Sequence, residues 1–238
     1  MKLLLLGHKG RIGRRYLASL KYLQTSDPSL ELLTYDVTDS AQAFEKYHPW
    51  QDWQFDKCVI ATPTETHFET AVQLIEMKKE FLCEKPVSKS MTDARALQNL
   101  ADKAGVKGYV VNNWEHAISH ARMKAGIESL ETKSIIYNYF NHGGDLMVWD
   151  CCQLIYIASK NNGGIVIKND SPIFDVTINH VFKVTLQDIE HSYLQMLSSF
   201  LNPSEHFRSK LWTLEQGADM TDSVHKYVAN EVNEYVIG

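Results

Sequence analysis

The first half of the chain alternates short apolar runs with stretches of helical periodicity. Residues 2–6 form an apolar run suited to a strand buried on both faces, and residues 11–24 follow with apolar positions at helical spacing. Further strands are predicted at 30–35, 58–61, 81–83 and 109–111, and further helices at 39–47, 65–78 and 92–104. Short connections join these elements, so the pattern predicts βαβ units and an α/β fold with a doubly wound parallel sheet.

The rhythm changes after residue 115. Strands are predicted at 134–140, 165–168 and within 172–184, and helices at 146–159, 188–201 and 211–232. We therefore predict two domains. Residues 1–115 hold the parallel sheet, and residues 116–238 form a smaller α+β domain with a reduced open sheet of three or four strands.

Composition narrows the class of protein. The 238 residues are 44% hydrophobic and 22% charged, as in ordinary globular proteins, and the net charge of −5 leaves no basic excess for a nucleic-acid partner. The leucine run at residues 3–6 is shorter than the roughly 7–15 residues of a secretory apolar region. No run reaches the ~18 residues of a membrane span. We expect a cytoplasmic protein without a membrane partner.

The cysteines and histidines indicate neither a disulfide framework nor a metal site. Cys58 and Cys83 lie in apolar runs and are expected to be small buried residues. Cys151 and Cys152 are adjacent on a predicted helix and point in different directions, so we expect one in the core and one at the surface. No carboxylate stands at ligand spacing from His116, His120 and His142, which we expect in solvent.

A glycine-rich turn, GHKGRIG, follows the first strand and opens the first helix. Glycines there make a tight turn, let a pyrophosphate approach the backbone and allow the helix to pack on the sheet. The helix N-terminus adds N–H groups and positive potential. The turn predicts a phosphate site, with a plain strand–turn–helix connection as the alternative. The residues expected at the phosphates are Gly7, Lys9, Gly10, Arg11 and Ile12.

Asp36 stands at the end of the second predicted strand, 23 residues after Gly13. A carboxylate at this place accepts hydrogen bonds from ribose hydroxyls and repels a 2′-phosphate. Asp36 therefore favours NAD(H) over NADP(H), with a helix-capping or loop aspartate as the alternative.

The next strand ends in ATPTETH, where Thr62, Pro63 and His67 stand at a strand-to-helix turn. Because the carboxyl ends of parallel strands share one sheet edge, the ribose or nicotinamide of a cofactor would pass here. We expect these three residues at the cofactor, with a solvated histidine at a helix start as the alternative for His67.

The stretch FLCEKPVSKS places Lys85 at the end of another buried strand. Pro86 restricts the residue before it to extended geometry, so Lys85 is held in one direction at the ligand-binding edge. A partly desolvated lysine there can exchange a proton with a substrate hydroxyl or carbonyl.

Together these stretches resemble the Gfo/Idh/MocA oxidoreductases, named for glucose–fructose oxidoreductase and inositol dehydrogenase. The resemblance is specific over residues 1–113, in GRIGRRYL, ATPTETHFETA and CEKPVSKSMTDARAL, and fainter in GGDLMVWDCCQLIYIA and SYLQMLSSF. It implies a nicotinamide-binding Rossmann domain and an open-sheet domain that carries substrate and often forms homo-oligomers. It also implies that Lys85 lies beside nicotinamide and substrate, with Glu84 and Asn113 at the cofactor.

The chain departs from this family in its second half, where it is also shorter than typical members. The family's D-x-x-x-H pair aligns with Trp149 and Gln153, and Asp150 is one residue out of register. Glutamine cannot shuttle a proton at neutral pH. The candidate catalytic residues are therefore Lys85, Asp150 and Gln153, with Lys85 or Asp150 carrying the proton unless the substrate differs.

Three functions follow from the sequence. The leading prediction is an NAD(P)-dependent oxidoreductase that moves a hydride between nicotinamide and a sugar, polyol or sugar-nucleotide, with Lys85 as the proton-transfer residue. A biliverdin reductase-like enzyme is the first alternative, because that enzyme has a similar two-domain plan and lacks the same histidine. A cofactor-binding sensor or subunit with reduced catalysis is the second.

Overall fold

The computed structural model describes residues 1–39, 49–139, 149, 151–169, 175–202, 204, 206 and 210–229. They fall into two compact units, Met1–Val111 with Leu197–Ala218, and Asn112–Met196 with Asp219–Gly238. The sequence places a single boundary after residue 115, whereas the chain leaves the first unit after Val111 and later returns to it. The return occurs because a late strand pairs with the sheet of the first unit.

The first unit is built on a six-stranded sheet. In chain order its strands are β1 (Lys2–Leu6), β2 (Glu31–Tyr35), β3 (Lys57–Ile60), β4 (Glu80–Cys83), β5 (Gly108–Val110) and β10 (Trp212–Thr213). The spatial order is β10-β5-β4-β3-β1-β2, with β1 to β5 parallel and β10 antiparallel to β5. The connecting helices are α1 (Arg11–Ser26), α2 (Thr64–Glu76) and α3 (Met91–Ala104).

Burial explains why the strands of this sheet read as unbroken apolar runs. Leu3, Leu4 and Leu5 have no exposed surface, as expected when helices cover both faces of a parallel sheet. The helix α1 buries Tyr16 and Leu20, which are one helical turn apart. The predicted doubly wound α/β fold is confirmed.

The last helix begins later than predicted. Residues 211–232 read as one helix in the sequence, but Trp212 and Thr213 form β10 and the described helix, α7, runs over Leu214–Val228. Thr213 and Gln216 form a capping box. The Thr213 hydroxyl accepts from the Gln216 N–H at 3.3 Å, and Gln216 Oε1 accepts from the Thr213 N–H at 2.9 Å. This cap fixes the helix start.

The second unit contains a four-stranded sheet of order β7-β6-β8-β9. Its strands are β6 (Ser134–Tyr139), β7 (Gly164–Asn169), β8 (Asp175–Ile178) and β9 (Phe182–Val184). Its other helices are α4 (Asn113–Lys124), α5 (Cys152–Lys160) and α6 (Leu186–Leu201), whose last residues belong to the first unit. The predicted smaller sheet is confirmed. The helix predicted at 39–47 and the start of that at 146–159 lie outside the described residues.

One face of this second sheet is more exposed than the other. Ile135 and Ile165 are buried, whereas Ile136, Val166 and Thr177 on the opposite face are only half-buried.

The four cysteines are all buried. Burial raises the pKa of the Cys58 and Cys83 thiols, in agreement with the predicted role of small core residues. The prediction that one of Cys151 and Cys152 lies at the surface is wrong, because both are fully covered. Among the described helices, none combines the length and apolar character that crossing a bilayer requires.

Candidate active site

The candidate site lies where the order of the first sheet reverses. From β1 the chain passes to β2 on one side, and β3 then pairs on the other side of β1. In open α/β sheets the crevice beyond such neighbouring strand ends is where ligands bind. Gly7 follows β1 with a φ of +81°, and a Cβ there would lie 2.5 Å from the Ala61 carbonyl oxygen. Glycine is therefore required for the two strand ends to meet.

The other two glycines of the turn differ from each other. At Gly13 a Cβ would lie 1.9 Å from the Gly7 carbonyl oxygen, so only glycine lets α1 approach the turn this closely. At Gly10 the nearest atom to a Cβ is the same oxygen at 3.4 Å, which is ordinary contact. Packing within the protein thus explains why glycine is needed at positions 7 and 13. It does not explain why position 10 is also a glycine.

The helix α1 begins at this turn. Among the described residues no side chain caps its N-terminus, and its first turn holds no acidic residue. The helix α3, by contrast, is capped by the Ser90 hydroxyl, which accepts from the Asp93 N–H at 3.2 Å. Lys9 and Arg11 are exposed beside the α1 N-terminus, and Ile12 is half-buried. The arrangement suits a phosphate group.

Asp36 is buried directly after β2 and faces the same turn. Its Oδ2 accepts from the Lys9 N–H at 3.2 Å, and its Oδ1 accepts from the Thr38 N–H at 3.1 Å and hydroxyl at 2.9 Å. Burial acts to raise the pKa of Asp36, but these hydrogen bonds outweigh burial and hold the pKa below its ordinary value. The carboxylate is therefore ionised at neutral pH, next to the glycine turn, as expected for a ribose-binding acid.

The turn after β3 is closed by its own side chains. The hydroxyls of Thr62 and Thr66 lie 2.7 Å apart, and Pro63 is exposed. His67, in the first turn of α2, is 1% exposed, so the interpretation of it as a solvated histidine is wrong. Its Nε2 lies 2.8 Å from the Thr62 carbonyl oxygen.

The turn after β4 holds Lys85 between two fixed neighbours. Glu84 is buried, and its carboxylate accepts from the Tyr16 hydroxyl at 2.8 Å and from the Lys85 N–H at 3.1 Å. The Pro86 carbonyl oxygen lies 2.7 Å from His67 Nδ1. Lys85 is half-buried, and its peptide bond to Pro86 is cis. Both oxygens of Glu84 thus form hydrogen bonds within the protein.

In the second unit, the predicted residues Asn113 and Gln153 bond to each other. Gln153 is fully buried; its Nε2 donates to Asn113 Oδ1 at 2.9 Å and its Oε1 accepts from the Trp114 N–H at 3.1 Å. Its amide therefore joins α5 to the start of α4. Trp149 stacks edge-on against His225, with ring centroids 5.8 Å apart. The predicted catalytic residue Asp150 lies outside the described residues.

A further charged cluster was not predicted from the sequence. Asp188, at the start of α6, is fully buried, and its carboxylate accepts from His120 Nδ1 at 2.9 Å and Lys124 Nζ at 2.8 Å. His191 stacks on His120 with ring centroids 4.2 Å apart. The prediction of a solvated His120 is wrong, because its ring contacts the buried Asp188 carboxylate. The contact was missed because no local signal in the sequence links residues this far apart. In the described ranges no group of three or more His, Cys, Asp or Glu residues could hold a metal ion.

The first sheet and the glycine turn that follows β1 have the arrangement of the Rossmann fold. Residues 1–113 match the family model described as the oxidoreductase family with an NAD-binding Rossmann fold, GFO_IDH_MocA. Over these residues, just under half of the chain, it is similar to the Gfo/Idh/MocA oxidoreductases. The predicted resemblance to this family is thus confirmed over residues 1–113. No curated protein sequence matches the chain.

Solved structures share the fold at low sequence identity. A probable dehydrogenase from Thermotoga maritima is 15% identical with a TM-score of 0.65, over 97% of each chain. The WlbA (WbpB) dehydrogenase from Thermus thermophilus, in complex with NAD and UDP-GlcNAcA, is 13% identical with a TM-score of 0.64, over 100% of this chain and 97% of that one. A myo-inositol dehydrogenase from Corynebacterium glutamicum is 15% identical with a TM-score of 0.62, over 96% of each.

Proposed function

We propose that this protein is an NAD-dependent oxidoreductase that interconverts a hydroxyl and a carbonyl group on a sugar, polyol or sugar-nucleotide. The observation that carries the proposal is Lys85, held at the carboxyl end of β4 between an anchored Glu84 and an anchored Pro86. A bound nicotinamide would supply the hydride chemistry. Lys85 would exchange the hydroxyl proton of the substrate at its Nζ.

The cofactor would be held by the glycine turn and by Asp36. The uncapped N-terminus of α1 suits the pyrophosphate, and Gly10 leaves room for its approach. The ionised Asp36 would accept hydrogen bonds from the adenosine ribose and repel a 2′-phosphate, which favours NAD(H) over NADP(H). Thr62 and Pro63 border the path toward Lys85 from the end of β3.

The substrate class rests on likeness to relatives whose names state a ligand or activity. One is a complex with NAD and UDP-GlcNAcA, and another is a myo-inositol dehydrogenase.

We also propose a homo-oligomer through the second sheet, because Ile136, Val166 and Thr177 are left half-buried on one of its faces. Sedimentation of the purified protein tests this, and a monomer at all concentrations would contradict it.

The test of the catalytic role is the variant Lys85→Ala, assayed with UDP-GlcNAcA, myo-inositol and a panel of sugars and polyols. We expect turnover to fall by about 10²–10⁴-fold, as for loss of a proton-transfer group, with NADH affinity nearly unchanged. Lys103→Ala is the matched control, because Lys103 is exposed in the last turn of α3. Turnover by Lys85→Ala at the wild-type rate would refute the role.

A second candidate function is favoured by Gln153. Its amide is buried and bonded within the protein, so it offers a substrate neither a donor nor an acceptor. A protein that binds the cofactor without catalysing a reaction would need no substrate contact from Gln153. Adding biliverdin to the substrate panel tests the tetrapyrrole alternative as well. NADH binding without turnover of any compound would favour the non-catalytic function over the enzyme.

A further inference from the structure

His67 joins the two turns that border Lys85. Its Nδ1 lies 2.7 Å from the carbonyl oxygen of Pro86 and its Nε2 lies 2.8 Å from that of Thr62. The ring is 1% exposed, so water does not compete for either nitrogen. One imidazole thus contacts the chain after β3 and the chain after β4 at hydrogen-bonding distance.

The consequence concerns Lys85, which stands between these groups. Its own N–H donates to Glu84, which the Tyr16 hydroxyl orients, and the carbonyl oxygen of the next residue, Pro86, lies 2.7 Å from His67 Nδ1. The backbone is therefore fixed on both sides of the lysine. Small displacements matter here, because a misplacement of about 1 Å can cost about 10²-fold in rate.

We infer that His67 acts as a positioning residue, tying the turns after β3 and β4 together so that Lys85 is held in place. This part of its action rests on the proposed role of Lys85. With both nitrogens engaged, His67 has no donor or acceptor left for the cofactor, in contrast to the cofactor contact expected from the sequence.

Two variants separate the two hydrogen bonds. In His67→Asn the side-chain amide stands near the place of Nδ1 and can still donate to Pro86. In His67→Gln the amide stands near the place of Nε2 and can still donate to Thr62. Because Lys85 adjoins Pro86, we expect kcat to fall about 10- to 100-fold in His67→Gln and much less in His67→Asn, with similar NADH affinity in both. Equal losses in both variants, or a loss of NADH affinity alone, would overturn the positioning role.

Nuclear magnetic resonance tests the positioning role without a substrate. The Lys85 backbone amide is followed in uniformly ¹⁵N-labelled protein. It should move in His67→Gln and stay in place in His67→Asn, and the same shift in both variants would overturn the positioning role. These readouts hold even if the wild-type protein turns over no tested compound, which would count against the proposed function instead.

Discussion

The glycine turn after β1 offers two substitutions that separate packing from ligand approach. At Gly13 a Cβ would lie 1.9 Å from the Gly7 carbonyl oxygen, far inside the 3.4 Å at which ordinary contact begins. At Gly10 that same oxygen is 3.4 Å away, and the φ of −64° suits any residue. Gly13→Ala therefore disturbs the folded backbone itself, whereas Gly10→Ala adds a methyl group in ordinary contact with the protein, at the place proposed for the ligand.

The two variants should differ in stability and agree in binding. Gly13→Ala should lower the free energy of unfolding by about 1–3 kcal/mol, the usual cost of overpacking, and lose NADH affinity as the turn moves. Gly10→Ala should stay within about 1 kcal/mol of wild type, because a weaker N-cap and a less flexible unfolded chain oppose each other. Its NADH affinity should still fall about 10- to 100-fold, or about 1.4–2.8 kcal/mol.

Denaturant unfolding and NADH fluorescence titration measure the two quantities on the same samples. Gly164→Ala is the control, because a Cβ at that position in β7 would meet no atom of the described residues within 4 Å. It should change neither quantity appreciably. A folded Gly10→Ala variant that binds NADH like wild type would refute the placement of the pyrophosphate against this turn.

Three further substitutions test other parts of the account. Asp36→Ser should lower the ratio of the NADP to NAD dissociation constants at least about tenfold by removing the charge that repels a 2′-phosphate, and an unchanged ratio in paired titrations would contradict that role. Asp188→Asn should destabilise the fold by about 2–4 kcal/mol at neutral pH. Burial acts to raise the pKa of Asp188, but hydrogen bonds from Lys124, Thr185 and His120 lower it overall. The contribution of Asp188 to the free energy of unfolding is therefore fully present above the unfolded pKa of about 3.9, and it is lost as pH falls through the lower folded pKa. A difference from wild type that stays constant from pH ~7 to pH ~2 in urea unfolding would contradict it, and Asp222→Asn, in an exposed pair with Lys226, is the control. Gln153→Ala should cost about 2–4 kcal/mol, since it leaves the buried Trp114 N–H and Asn113 amide oxygen without their partner, and a loss below about 0.5 kcal/mol would contradict this.

The first sheet and its ligand edge were predictable because their signals are local. The run Leu3–Leu6, the glycines that follow it and Asp36 are each read from a few neighbouring residues, and parallel strands bring their carboxyl ends together by topology alone. The same holds for Lys85, whose direction is restricted by the adjacent Pro86.

The contacts that were missed join residues far apart in sequence. The strand β10 is two residues long and pairs with β5 across about half the chain, with no periodicity of its own to announce it. Asp188 reaches His120, and His67 reaches Pro86, through the tertiary fold. The start of α7 was predictable in principle, because TLEQ at residues 213–216 is a capping-box sequence.

A crystal structure of the protein with NAD bound tests the central claim most directly. The account predicts the pyrophosphate against Gly7 and Gly10 at the N-terminus of α1, a ribose on the carboxylate of Asp36, and the nicotinamide ring beside Lys85. A dinucleotide bound elsewhere, or a nicotinamide turned away from Lys85, would contradict it.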